Sequence, residues 1–299
     1  MDYILVGIAT LLLAFEFACS KKYQINEGTD ISSGLKFNAL SGLLTIVVFF
    51  ALSGFKIEFS FFSLLMAFAM ATCAALYSLI SFRVLKAGNM SVYSMFLMSG
   101  GMILPYFFGL AFLDEIINPF RIVGIIVILV AVILSNFGKM SFKPSLLLLC
   151  LCVFLLNGCV SIISKCHQAN DQLEIIRDFE AVSSTAFVMY SGLGKFVLSS
   201  VALLFCKKEK SVIRFNSKTS LPVILGAAAI GGVSYMLQLI GAETLPATVL
   251  YPLVTGGCIV FSSLSGLIFF REKLSVYQII SIILCFIGTL FSYKKEYWL

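Results

Sequence analysis

The run LYPLVTGGCIVFSSLSGLIFFREKL, residues 250–274, sets the plan of this chain. It is an apolar span that holds a Gly256-Gly257 pair and closes on Arg271-Glu272-Lys273, and a second apolar span, 275–293, follows at once. The same plan occurs at residues 93–117, YSMFLMSGGMILPYFFGLAFLDEII. There Gly100-Gly101 stand in the place of Gly256-Gly257, Asp114-Glu115 in the place of Arg271-Glu272, and the span 120–137 follows. Further out, CSKKYQ at 19–24 resembles ISKCHQ at 163–168, with Ser, Lys and Gln at the same spacing. A chain built from two copies of one apolar unit is read first as a repeat.

Composition places that unit in a membrane. Of the 299 residues, 60% are hydrophobic and 12% charged, and the mean hydropathy is +1.03. Soluble domains carry roughly 25% charged residues. Apolar runs near the ~20 residues that a helix needs to cross a bilayer recur from end to end. They are apolar on all faces, without the alternation of a barrel strand. The expected fold is an all-α integral membrane protein of ten transmembrane helices, at 3–20, 35–53, 61–82, 91–113, 120–137, 145–164, 182–206, 221–241, 247–270 and 275–293. The first span lacks the positive flank and small-residue cleavage site of a signal peptide, so it counts as a helix. Five helices fall in each copy, 1–140 and 141–299. An odd number turns the second copy upside down relative to the first. Two inverted five-helix repeats with a cavity near the midplane are the pattern of a secondary transporter.

The net charge of +6 comes from cations scattered over short loops, which bear on topology rather than on a nucleic-acid partner. Lys21, Lys22, Lys36, Arg83, Lys86, Lys207, Lys208 and Arg271 are among those on one side, against Lys56, Arg121, Lys165, Arg177, Lys294 and Lys295 on the other. This bias places both termini outside the cytoplasm. The nine cysteines lie mostly inside apolar spans and form no pair of Cys-x-x-Cys motifs, so they read as small buried residues rather than disulfides or metal ligands. His167, the single histidine, has no cluster of Cys, Asp or Glu around it to hold a metal. No Gly-rich Lys-Ser/Thr phosphate loop is present, so neither ATP nor another cofactor is implied. The segment 165–181 carries mixed charges and is expected to hold a short surface helix. Asp171, Glu174, Asp178 and Glu180, with Arg177, would form one solvated face of it.

The run Tyr251-Pro252-Leu253, Gly256-Gly257 and Phe270-Arg271-Glu272-Lys273-Leu274 resembles the signature of the EamA family in the drug/metabolite transporter superfamily. The weaker copy ending at Asp114-Glu115 and the two-times-five plan extend the resemblance over the whole chain. It implies a permease rather than an enzyme, in the cytoplasmic membrane, with a small organic solute and membrane lipid as partners and a monomer or homodimer as the assembly. It implies export more than uptake, and in many members both termini are cytoplasmic, opposite to the charge count.

Glu16 lies deep in the first span, where a carboxylate costs roughly 2.5–3.5 kcal/mol on insertion scales unless it faces a cavity or a partner. It is a candidate proton-coupling or cation-binding acid, or else a partner for a lysine. Relatives of the superfamily, the small multidrug pumps, also carry an essential Glu in their first helix, in different surroundings. Lys195, midway along 182–206, is the other intramembrane charge. It would bind a substrate carboxylate or phosphate, pair with Glu16, or reach the interface past Gly192 and Gly194. Asn157, Gln238, Tyr77, Tyr235, Tyr93 and Tyr251 offer hydrogen bonds to a solute, although each alone also serves as helix-packing glue. Lys21, Lys165, Arg271, Glu272 and Lys273, at span ends, read as topology and capping residues. The competing reading is a membrane-embedded lipid-handling protein or enzyme. It would call for paired acids or a histidine cluster near one interface.

Overall fold

The computed structural model describes residues 2–28, 30–86, 90–116, 118–135, 147–206, 217–271 and 275–293, with the backbone alone at 81–86, 90–94, 135, 217, 292 and 293. The described residues form helices α1 (Asp2–Glu27), α2 (Ile31–Leu52), α3 (Phe61–Lys86), α4 (Met90–Phe112), α5 (Pro119–Ser135), α6 (Leu147–Gln168), α7 (Ser184–Phe205), α8 (Ser217–Thr244), α9 (Ala247–Phe270) and α10 (Val276–Tyr293). No strand occurs among them. Among the described residues, eight helices are long and apolar enough to cross a membrane, and Pro119–Leu134 and Val276–Phe291 are shorter apolar stretches. Helices are what such a sequence must form, because hydrocarbon offers no hydrogen bonds and each backbone group has to find its partner within its own segment.

Several helices outrun their apolar spans. α1 continues through Lys21 and Lys22 to Glu27, and α8 runs from Ser217 to Thr244. Hydropathy stops at the first charge, but the hydrogen-bond ladder continues until the backbone is forced to turn. In α1 that point is Gly28, whose φ of 85° is open to glycine at little cost and whose N–H still donates to Gln24 O at 2.9 Å. The segment 169–183 departs from expectation. It holds only a three-residue 3-10 turn, Asn170–Gln172, followed by further turns. The Asn170 amide donates to Phe179 O at 2.7 Å and closes this loop on itself, a local bond that competes with a helix. Its acids therefore share no helix face. Arg177 and Asp178 pair at 3.8 Å, both exposed.

α1 packs against α8 and α9, α2 against α7 and α8, α3 against α6 and α7, α4 against α6 and α9, and α5 against α10. On α5 the side chains of Val123, Ile126 and Ile133 point outward, as do Ile283, Phe286 and Leu290 on α10, which suits a lipid-facing pair. The α2–α7 contact is close: a Cβ on Gly42 would lie 2.7 Å from Gly192 O and 2.8 Å from Phe196 N. Where lipid is as apolar as leucine, such close packing is what holds helices together.

One end of the bundle is tied by polar contacts. Glu58 accepts from the Ser183 N–H at 2.7 Å and hydroxyl at 2.9 Å, and so caps α7. His167 is fully buried, with Nε2 2.8 Å from Ser63 Oγ, Nδ1 2.9 Å from the Gln168 amide, and its ring 3.8 Å from that of Phe187. It is a core residue. All nine cysteines are free thiols.

Gly42→Ala is expected to destabilise the purified protein by about 1–3 kcal/mol, because backbone on both sides cannot move aside. Gly7→Ala, where a Cβ meets nothing within 4 Å, is the control and should hold or raise the melting temperature. Equal Tm values for the two variants would show that the α2–α7 contact is not tight.

Candidate functional site

A cavity of about 560 Å³ lies among α1, α2, α3, α4, α6, α7, α8 and α9. Glu16, Lys195, Asn157 and Tyr77 line it. Tyr235, Gln238 and Tyr251 line it too. The side chain of Tyr93 lies outside the described residues. Helices that are adjacent in space but distant in sequence thus bring seven of the eight expected residues to one surface.

Their surroundings differ. Tyr235 donates to Met70 Sδ at 3.0 Å and sits 2.7 Å from Ser164 Oγ. Tyr251 donates to Ser161 O at 2.5 Å. Gln238 donates to Ser234 Oγ at 3.2 Å, and Ser234 donates in turn to Ala9 O at 2.7 Å. Asn157 donates to Leu97 O at 2.8 Å, tying α6 to α4. These four side chains shape the wall and hold it, which is the packing role weighed for each of them above.

The two charged groups are different. Neither Glu16 nor Lys195 makes a hydrogen bond or ion pair with a described residue, and both border the cavity. Glu16 presses on the backbone of α8 at Gly231, where a Cβ would overlap its carboxyl group. Lys195, Tyr77 and Cys258 are within its electrostatic reach. The Lys195 ammonium lies 5.8 Å from the centre of the Phe37 ring, near the limit of a cation–π contact. Lys195 reaches the cavity and not the interface. Gly192 and Gly194 instead let α7 approach α2 and α3, at Thr45 and Ala71.

Other polar groups on the cavity wall were not anticipated. Ser191 and Ser199 flank Lys195 on α7, and Asn38, Ser41 and Thr45 lie on α2. The signal was present: a serine four residues before and four after Lys195 marks one helix face.

A second cavity, of about 370 Å³, lies where α8 turns into α9. Lys165, the last-turn lysine of α6, is 2% exposed and donates to Ala242 O at 2.6 Å and Leu245 O at 2.9 Å. It caps the C-terminus of α8, in agreement with the capping role expected of it. Glu115, after α4, accepts from Ala247 N at 2.5 Å and Thr248 N at 2.8 Å and caps the N-terminus of α9. A cation at a helix C-terminus and an anion at an N-terminus complement the two helix dipoles. Glu272, which the sequence comparison sets opposite Glu115, lies outside the described residues.

These features define an all-helical, multi-pass membrane protein. Residues 174–294 match the model of the EamA-like transporter family, in keeping with the resemblance carried by residues 250–274, and this match supports a transporter-like role in general. Among the 28 solved chains that match, one described only as the crystal structure of a protein has a TM-score of 0.76 at 17% identity, over 98% of each chain. It shares the fold. No curated protein matches the sequence.

Glu16→Gln and Lys195→Met should be coupled by about 0.5–3 kcal/mol, because each charge lies within the other's electrostatic reach and either single change removes that attraction. Thermal unfolding of the four proteins reads this directly, and additive losses would show that the charges act apart.

Proposed function

We propose that the protein is a secondary transporter that moves a small organic solute across the cytoplasmic membrane by alternating access. The observation that carries this reading is the cavity in which a carboxylate and an ammonium group make no hydrogen bond or ion pair with the described residues. Charges inside a membrane bundle are expensive, and where they persist they mark solute and proton paths. In this reading Glu16 exchanges a proton or binds a cationic group, Lys195 receives an anionic one, and the tyrosines, Asn157 and Gln238 shape the space between. Export driven by a proton or solute gradient is the direction in view. The partners are the solute and surrounding lipid, with the protein acting as a monomer or homodimer.

The inverted-repeat reading of 1–140 and 141–299 has support in the packing. Exchanging α1 with α6, α2 with α7, α3 with α8, α4 with α9 and α5 with α10 turns the α1–α8 contact into α6–α3, α1–α9 into α6–α4, and α2–α8 into α7–α3. All of these contacts are present, and α2–α7, α4–α9 and α5–α10 map onto themselves. The backbone ends α4 and α9 alike as well, with left-handed Asp114 at φ 49° and Arg271 at φ 51°, the two positions paired by the sequence copies. Rocking one copy against the other would open the cavity to each side in turn.

Two experiments test the reading. A solute held at a hundred times its dissociation constant should stabilise the purified protein by about 2.7 kcal/mol in a thermal-shift screen spanning amino acids, nucleosides, sugars, sugar phosphates and lipophilic cations. In proteoliposomes, Glu16→Gln should abolish movement driven by a pH gradient while the protein stays folded. Unchanged coupling in that variant would remove Glu16 from the mechanism, and the absence of any stabilising solute at millimolar concentration would favour a lipid-handling role.

A further inference from the structure

We infer that Lys165 and Glu115 form a releasable lock that closes the central cavity at the end where α8 turns into α9. The inference rests on the transport reading above and adds to it the element that must open.

Position is the first argument. Ser164, Ala242, Leu250 and Tyr251 line the central cavity. Their neighbours Lys165, Leu245 and Pro246, with Glu115, line the second one. The bonds from Lys165 to Ala242 O and Leu245 O therefore stand between the two spaces. Val6, near the start of α1, packs with Ala242, Leu245, Ala247 and Leu250, so the partition lies at the end of the bundle from which α1 enters.

Chemistry is the second. The two residues carry opposite charges, yet no ion pair joins them, although each is within electrostatic reach of the other. The ammonium is satisfied by carbonyls that end α8, and the carboxylate by N–H groups that begin α9. Both sets of bonds converge on one short turn, Leu245-Pro246. If α8 and α9 part there, the helix ends lose both caps together. Parting there would let water reach both groups, so the capping bonds stabilise the closed arrangement alone and their loss favours the open one.

Connection is the third. α8 is the helix against which Glu16 presses at Gly231, and it also carries Tyr235 and Gln238. A change at the central cavity is felt along the same rigid rod whose C-terminus Lys165 holds.

The test reads access to the cavity and needs no known solute. Ser191, on the cavity wall, is replaced by cysteine (Ser191→Cys) in a protein whose native cysteines are changed to serine or alanine. Membrane vesicles of both orientations are then treated with an impermeant maleimide. Lys165→Ala and Glu115→Gln should each raise labelling from the face that carries the start of α1 by about tenfold or more, the effect of losing or weakening the two charge-assisted hydrogen bonds each residue makes to a helix end. Lys165→Arg, which keeps a cation able to reach the same carbonyls, should label like the parent. If Lys165→Ala does not reach the membrane, Glu115→Gln decides alone. Unchanged labelling in Glu115→Gln, or an equal rise from the opposite face, overturns the lock. Increased labelling in a protein that moves and binds no solute keeps the lock and sinks the transport reading. Transport with unchanged labelling does the reverse.

Discussion

A polar group in hydrocarbon must find its partner inside the protein, and this architecture follows from that constraint. The backbone meets it by forming helices, and the helices meet by close contact of small residues such as Gly42 and Gly192. What remains are the side chains that no helix can satisfy by itself. Their positions divide the molecule into a tied end and an open interior.

At the tied end three charges are committed to helix ends. Lys165 holds the last carbonyls of α8, Glu115 the first N–H groups of α9, and Glu58 the start of α7. Each sits where a helix dipole favours its sign. His167 is locked between Ser63 and Gln168 under the Phe187 ring. In the interior the same rule is relaxed at two residues only among the described charges that line the cavity. Glu16 and Lys195 border open space without a bonded partner among the described residues. The contrast carries the functional reading better than either charge would alone. The charges that cap α7, α8 and α9 are bonded to helix ends, and these two are not bonded to a described residue.

The proposed repeat carries its chemistry unevenly. α4 and α9 are each followed by a left-handed residue, Asp114 and Arg271, and the helix contacts exchange with the two halves of the sequence. Yet Glu16 is on α1, and Lys195 on α7. In the transport reading the two halves would supply two end states, and the lining would set which solute is held between them.

Much of this was legible in the sequence. The membrane class follows from apolar length, because a run of that length without charges has no other stable setting. Glu16 and Lys195 stood out because each is a lone charge in such a run, and the repeat stood out through Gly100-Gly101 and Gly256-Gly257. Helix ends were less legible, since hydropathy reports lipid contact while the hydrogen-bond ladder runs on through Lys21 and Lys22 to Glu27. The surface segment was misread because the bond from Asn170 to Phe179 O, nine residues apart, leaves no trace in charge spacing. What only the tertiary structure decided was partnership: that Asn157 is committed to Leu97 O while Glu16 is not, and that Lys165 reaches carbonyls more than seventy positions away. The physical reason is that periodicity reports which face of a helix is apolar, whereas the partner on the far side depends on how ten helices pack.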